Sequence, residues 1–180
     1  MASRKIEDLV GAMQTQAHAL IANCLAKGVE MRPYQTLRDP FEQARLWRQS
    51  RAREEIERKI AELTSAGALF LAHCLESVGP QSGDPVTNAV PGFSWHQWGE
   101  AMDCMWIVDG AAEWSTTRKV SGVNGYRVYA DEAVSLGLTA GGFFRSLKDW
   151  PHAQLRSAGS PLGAVSLSEI DRTMKERFGP

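Results

Sequence analysis

An excess of charge of one sign is the first thing missing: 20 basic residues stand against 21 acidic ones in 180, a formal net charge of −1. No nucleic-acid partner is therefore expected, because affinity for a polyanion rests on a cationic surplus that releases counterions. Cysteine is scarce, with Cys24, Cys74 and Cys104 far apart and no Cys-x-x-Cys pair. That pattern excludes a zinc knuckle and a disulfide framework, and the three read as reduced, mostly buried small hydrophobes. Long apolar runs are absent too. A stretch such as Ala66 to Cys74 falls far short of the ~20 residues a membrane span requires, so no integral membrane segment is expected. The start, Met1-Ala-Ser-Arg-Lys, leads into Glu7 and Asp8 where a secretory signal would be apolar, so accumulation in the cytoplasm is expected.

What the chain does have is enough length for one ordinary domain over residues 1–180. A chain of this size buries about 70% of its unfolded surface and needs no covalent staple. Apolar residues from Ile6 to Leu25 fall on one stripe at helical spacing, with Gly28 as the C-terminal cap. Val29 to Thr36 reads as a short strand. Asp39-Pro40-Phe41-Glu42 is a helix start with a cap, a proline and an acid, and the spacing predicts one helix from there to about Leu63. Ala68 to Val78 reads as a further short helix, and Gly79 to Pro85 as a loop dense in turn residues. Ala101 to Val108 is a buried strand, Tyr126 to Leu138 a helix, His152 to Leu155 a strand. Ser166-Leu-Ser-Glu169 is a capping box for a last helix through Phe178. The order points to an α+β domain with a small sheet.

Two segments carry chemistry: Ser94-Trp95-His96-Gln97-Trp98-Gly99-Glu100-Ala101-Met102-Asp103, and Asp149-Trp150-Pro151-His152. If Gly99 lets the chain turn, His96 and Asp103 converge on one point. The second segment adds an imidazole behind a carboxylate, with Pro151 forcing Trp150 into an extended conformation. Two histidines and a carboxylate suffice to hold a catalytic zinc with one position open. A hydrogen-bonded core histidine at His96 and a buried partner for an arginine at Asp103 remain the competing readings from spacing alone. His18 and His73, on apolar helical stretches, are read as structural.

The first segment matches Ser-x-His-x-x-Gly-x-Ala-x-Asp and the second Asp-x-Pro-His. Both resemble the zinc peptidases of the D-alanyl-D-alanine carboxypeptidase type, and among these most closely the L-alanyl-D-glutamate endopeptidases of phage endolysins. Tyr34 to Gln43, Val86-Thr87-Asn88-Ala89 with Pro91-Gly92, and Gly141-Gly142 resemble further family segments in the expected order, so the likeness covers roughly Ile6 to Gln154.

That resemblance implies a Hedgehog/DD-peptidase-like fold, a small antiparallel sheet flanked by helices, acting on the peptidoglycan stem peptide; a monomer is expected. It makes His96, Asp103 and His152 the Zn2+ ligands and Asp149 the catalytic base. It gives Arg38 to substrate or to the developing oxyanion. Ser94, Trp95, Trp98 and Trp150 are candidate substrate contacts; for the tryptophans, hydrophobic mass behind the site is an equal alternative. Aspartate at position 149, where carboxypeptidase branches usually have glutamate, points to an endopeptidase cutting between L-alanine and D-glutamate. Such a phage or prophage lysin would reach the cell wall after the host membrane is permeabilised. A D,D- or L,D-carboxypeptidase and a non-catalytic wall-binding phage component are the alternatives. The chain departs from the pattern at Phe144, where tryptophan is common, and at Cys104 and Ala153, where phenylalanine is. It also has extra length from about Ala52 to Gly83, which reads as a helical insertion.

Overall fold

The computed structural model describes residues 2–145 and 147–180. A 3-10 turn at Ile6–Asp8 is followed by α1 (Gly11–Ala26), β1 (Glu30–Gln35), α2 (Pro40–Arg48), α3 (Arg53–Ser65) and α4 (Leu69–Ser77). Then come the one-turn helix α5 (Trp95–Trp98), β2 (Ala101–Val108), β3 (Ala111–Glu113), α6 (Gly125–Ser135), β4 (Thr139–Ala140), β5 (His152–Gln154) and α7 (Leu167–Phe178). Among the described residues these are seven helices and a 5-stranded antiparallel sheet of order β1-β2-β5-β4, with β3 paired to β2. The α+β class read from the sequence is the one observed. Among the described residues no helix is long and apolar enough to cross a membrane.

The chain divides into two compact units, one made of residues 2–37 and 98–157 and the other of residues 38–97 and 158–180. The first holds the sheet with α1 and α6. Strand alternation sorts its side chains: Met102, Cys104 and Trp106 of β2, Met31 of β1 and Ala153 of β5 enter one core with Met13, Leu20 and Cys24 of α1 and Tyr126, Tyr129 and Ala133 of α6. Successive residues of a strand point to opposite faces, so Asp103 and His152 leave the sheet on the other side. The register sets Asp103 directly opposite His152.

The second unit is built on α2, α3, α4 and α7. Asp39 caps α2 by accepting from the Glu42 N–H at 2.8 Å, with Pro40 at the first helical position. Ser166 does the same for α7 through the Glu169 N–H. Helix α4 has no cap of its own at Ala68; instead Asp171 of α7 accepts the Leu71 N–H at 2.9 Å, tying two helices by one charge-assisted bond. Phe70, Leu71, Cys74 and Leu75 of α4 are buried, so the stretch read as an insertion supplies core rather than an appendage. A cavity of about 480 Å³, lined by Arg48, Arg51, Ile56, Ile60, Glu76 and Gln81 among others, opens here and contains none of the motif residues.

The structure corrects several boundaries. The single helix expected from Pro40 to about Leu63 is two, α2 and α3, broken where Ser50 takes φ 61°. No proline or glycine marks that break. Arg51 holds it from outside, donating to the Trp47 carbonyl and, at 3.0 Å, to the Thr87 carbonyl, bonds that a continuous helix would not leave for it. The first helix begins at Gly11 rather than Ile6, and β3, β4 and the single turn α5 were not foreseen.

Candidate metal centre

Asp103 and His152, 6% and 8% exposed, form the cross-strand pair on the sheet face away from the core. His152 Nδ1 lies 2.9 Å from Asp103 Oδ1, and its Nε2 lies 2.9 Å from Gln154 Oε1. Burial pulls the imidazole pKa down, but the hydrogen bond and charge of Asp103, with the charge of Asp149 and the bond to Gln154, outweigh it and raise the pKa above the ordinary 6.5. The Phe144 ring lies tilted against the imidazole at 5.9 Å between centroids, so the departure at that position still covers the histidine with an aromatic.

The Asp149–His152 turn is tied to the glycine pair ahead of it. The Asp149 N–H donates to the Gly141 carbonyl at 2.9 Å, and the His152 N–H to the Asp149 carbonyl at 3.1 Å. A Cβ on Gly141 would sit 2.2 Å from the Asp149 carbonyl oxygen and 2.9 Å from the His152 Cβ; one on Gly142 would sit 2.4 Å from the Trp150 ring. Only glycine permits that approach. Trp150 itself is 8% exposed and packs into the core, with the Arg127 guanidinium 4.0 Å over its ring and Phe143 at its edge. The Asp149 side chain is exposed to solvent.

His96 sits in α5, and Gly99, φ 70°, makes the turn that leads into β2. A buried polar network fixes the loop before it. Gln97, wholly buried, accepts through Oε1 from the Gly92 and Ser94 N–H groups at 3.1 and 3.3 Å and donates through Nε2 to Gln43 Oε1 at 3.0 Å. Gln43, also wholly buried, accepts from Arg38 Nη1 at 2.7 Å and donates to the Ala89 carbonyl at 2.6 Å. The Arg38 N–H in turn reaches the His96 carbonyl at 3.2 Å. Trp95 is 3% exposed, its indole N–H bonded to the Ala158 carbonyl at 2.7 Å, while Ser94 and Trp98 are half-buried. The amide roles of Gln43 and Gln97 had no signal in the sequence, since a glutamine without its distant partners reads as solvated surface. Replacing Gln97 by Leu takes the Oε1 acceptor from two loop N–H groups and removes one of the two donors to Gln43 Oε1; an unfolding free energy lower by about 3 kcal/mol is expected in denaturant titration. A loss under about 1 kcal/mol would mean that the network does not hold the loop.

His96, Asp103 and His152 are all buried, and each offers an atom that can ligate a metal ion. Two imidazoles and a carboxylate are the donor set of catalytic zinc sites that keep a position open, so the residues fit a divalent ion. Cys104 is turned into the core, and burial pushes its thiol pKa far up, so it offers no thiolate. A proton on His152 competes with a metal. Because that pKa is raised, metal affinity is expected to fall as pH is lowered, beginning above pH 6.5. Chelator competition between pH 8 and 5.5 tests this, and an affinity that stays flat down to pH 6.5 would contradict it.

Two imidazoles and a carboxylate able to hold an ion are the equipment of metal-dependent hydrolases, in which the bound ion would polarise a carbonyl and activate water. Within that class the chain belongs to the VanY family, the D-alanyl-D-alanine carboxypeptidases, whose profile matches residues 7–124, and it is thereby a peptidoglycan peptidase. The matched stretch contains Arg38, His96 and Asp103 and ends before Asp149 and His152. No curated protein matches the chain significantly. Among solved structures it is similar to the L-Ala D-Glu endopeptidase ChiX of Serratia marcescens, at 20% identity and TM-score 0.44, over 87% of this chain and 89% of that one. It is also similar to a mutant of the vancomycin resistance D,D-pentapeptidase VanY from a VanB-type cassette, solved with Zn(II), at 18% identity and TM-score 0.46, over 91% of this chain and 78% of that one.

Proposed function

We propose that the protein is a zinc-dependent endopeptidase that cuts within the peptidoglycan stem peptide, at the L-alanyl-D-glutamate bond, and serves as a phage or prophage endolysin. The observation that carries this reading is the carboxylate at position 149: an aspartate in Asp-x-Pro-His, as in the phage endopeptidases that the motifs resemble, rather than the glutamate usual in carboxypeptidase branches.

His96, Asp103 and His152 would hold the ion. Bound zinc acidifies water and polarises the scissile carbonyl. Asp149, solvent-facing and three residues from His152, takes the proton of the attacking water and returns it to the leaving amine. Arg38 stabilises the charge developing on the carbonyl oxygen, its guanidinium oriented by Gln43. Ser94, Trp95, Trp98 and Trp150 line or back the peptide's path. The extent of burial at Trp95 and Trp150 favours the backing role for those two. The enzyme acts as a monomer, accumulates in the host cytoplasm and meets the wall once the membrane is permeabilised; export without a holin would overturn that last step.

Mass spectrometry of muropeptides from purified peptidoglycan tests the bond. A new D-glutamate amino terminus is expected. Release of free D-alanine instead would make the protein a carboxypeptidase of its family's described kind, and an intact stem peptide with bound protein would make it a wall-binding component.

A further inference from the structure

Gln154 lies on β5, two residues beyond His152, and is 2% exposed. Its amide orientation is fixed by chemistry. Gln154 Nε2 lies 2.5 Å from the Arg156 carbonyl oxygen, an atom that only accepts, so the nitrogen must be the one that faces it. The amide oxygen is thereby turned to His152, whose Nε2 stands 2.9 Å away. An amide oxygen also only accepts, so His152 Nε2 must carry a hydrogen. The other ring nitrogen, Nδ1, lies 2.9 Å from Asp103 Oδ1, another acceptor, so without an ion it carries a hydrogen too; an ion held beside Asp103 would take the place of that hydrogen on Nδ1, while Nε2 keeps its own. The Arg156 end is anchored in turn: its guanidinium makes a two-pronged bond to Glu100, and the neighbouring Leu155 N–H donates to the Glu100 carbonyl at 2.9 Å.

From this chain of one-way hydrogen bonds we propose that Gln154 is a positioning residue that selects the Nε2–H tautomer of His152, so that Nδ1, beside Asp103, is the nitrogen presented to the metal. The inference rests on the metal site of the proposed function. A ligating imidazole is commonly oriented by an acceptor on its far nitrogen, and losing that acceptor costs about 10–100-fold in metal affinity. Here the acceptor is a neutral amide fixed by strand β5 itself, two residues along from the ligand on the same face of the sheet.

Two substitutions separate orientation from mere packing. Gln154→Met and Gln154→Glu both lose the N–H that reaches the Arg156 carbonyl, but only glutamate keeps an acceptor for His152 Nε2–H. Zinc affinity by chelator competition is expected to fall at least 10-fold in Gln154→Met and to stay within about threefold of the unmodified protein in Gln154→Glu. Equal losses in the two variants, or no loss in either, would overturn the proposal. Nitrogen-15 NMR of the zinc-loaded unmodified protein gives a readout that needs no variant: the His152 hydrogen is expected on Nε2 with Nδ1 shifted by the metal. Stoichiometric zinc with the hydrogen on Nδ1 would sink this inference and leave the metal site standing, whereas a protein that holds no zinc would sink both.

Discussion

Asp149→Ala is expected to lower kcat on purified peptidoglycan by about 1,000-fold, within the 10²–10⁴ range of general acid–base catalysis, while stoichiometric zinc is retained. That factor corresponds to about 4 kcal/mol of transition-state stabilisation. Retention is expected because the proposed ligands are His96, Asp103 and His152, and because what places residue 149 is its backbone: the N–H to the Gly141 carbonyl and the carbonyl to the His152 N–H. Alanine keeps both bonds and removes only the carboxylate. Kinetics alongside metal analysis of the same preparation decide the matter. Undiminished cleavage would remove Asp149 from the base role, and loss of zinc along with activity would make it a ligand. A second consequence has a definite sign. The Asp149 charge is among those that raise the His152 pKa, so the variant's imidazole is expected to titrate lower.

Asp103→Asn should reduce zinc affinity by more than the roughly 100-fold that marks the upper end for residues that only orient a ligand. The side chain keeps its shape, so the β2–β5 register, with residue 103 opposite His152, is expected to survive. The metal-free variant carries its own signature. In the unmodified protein the bond and charge of Asp103 are the largest of the influences raising the His152 pKa, and burial, the largest influence of all, lowers it. With the charge gone, burial prevails and the pKa is expected to drop below its value in the unmodified protein. The linked stability follows. A raised imidazole pKa stabilises the metal-free fold fully below pH 6.5, and that contribution fades as pH rises through the folded-state value. In Asp103→Asn the fading should shift to lower pH or vanish. NMR titration of the metal-free protein and unfolding at pH 6 and pH 8 read both effects, and an unchanged His152 titration would contradict the pairing.

Much of the site was legible because its residues are chemically distinctive and locally spaced. A turn at Gly99 between His96 and Asp103 was expected, and Gly99 takes φ 70°. Strand β2 runs over the residues read from the sequence, since eight consecutive mostly buried side chains leave an unmistakable apolar pattern. The caps at Asp39 and Ser166 were equally plain, because a side-chain oxygen three residues before a free N–H is a local event. The glutamines were not legible. Gln43, Gln97 and Gln154 look like any solvated amide in sequence, and their worth comes from partners distant in the chain or from an orientation imposed by a carbonyl oxygen.

The helix break at Gln49–Ala52 belongs to the same group: nothing in those four residues forbids a helix, and the bond from Arg51 to Thr87 that accompanies the break joins residues 36 positions apart. By itself the sequence determined the α+β class and most of its elements, and it named a candidate donor set and a candidate general base, because these follow from residue type, spacing, the alternation of a strand and the likeness of two motifs to a known family. Only the tertiary structure decided which nitrogen of His152 is offered, what keeps the His96 loop in its conformation, and why residues 141 and 142 must be glycine. Those depend on close approaches and one-way hydrogen bonds between segments, and no local pattern records the direction of an amide or the space left for a Cβ.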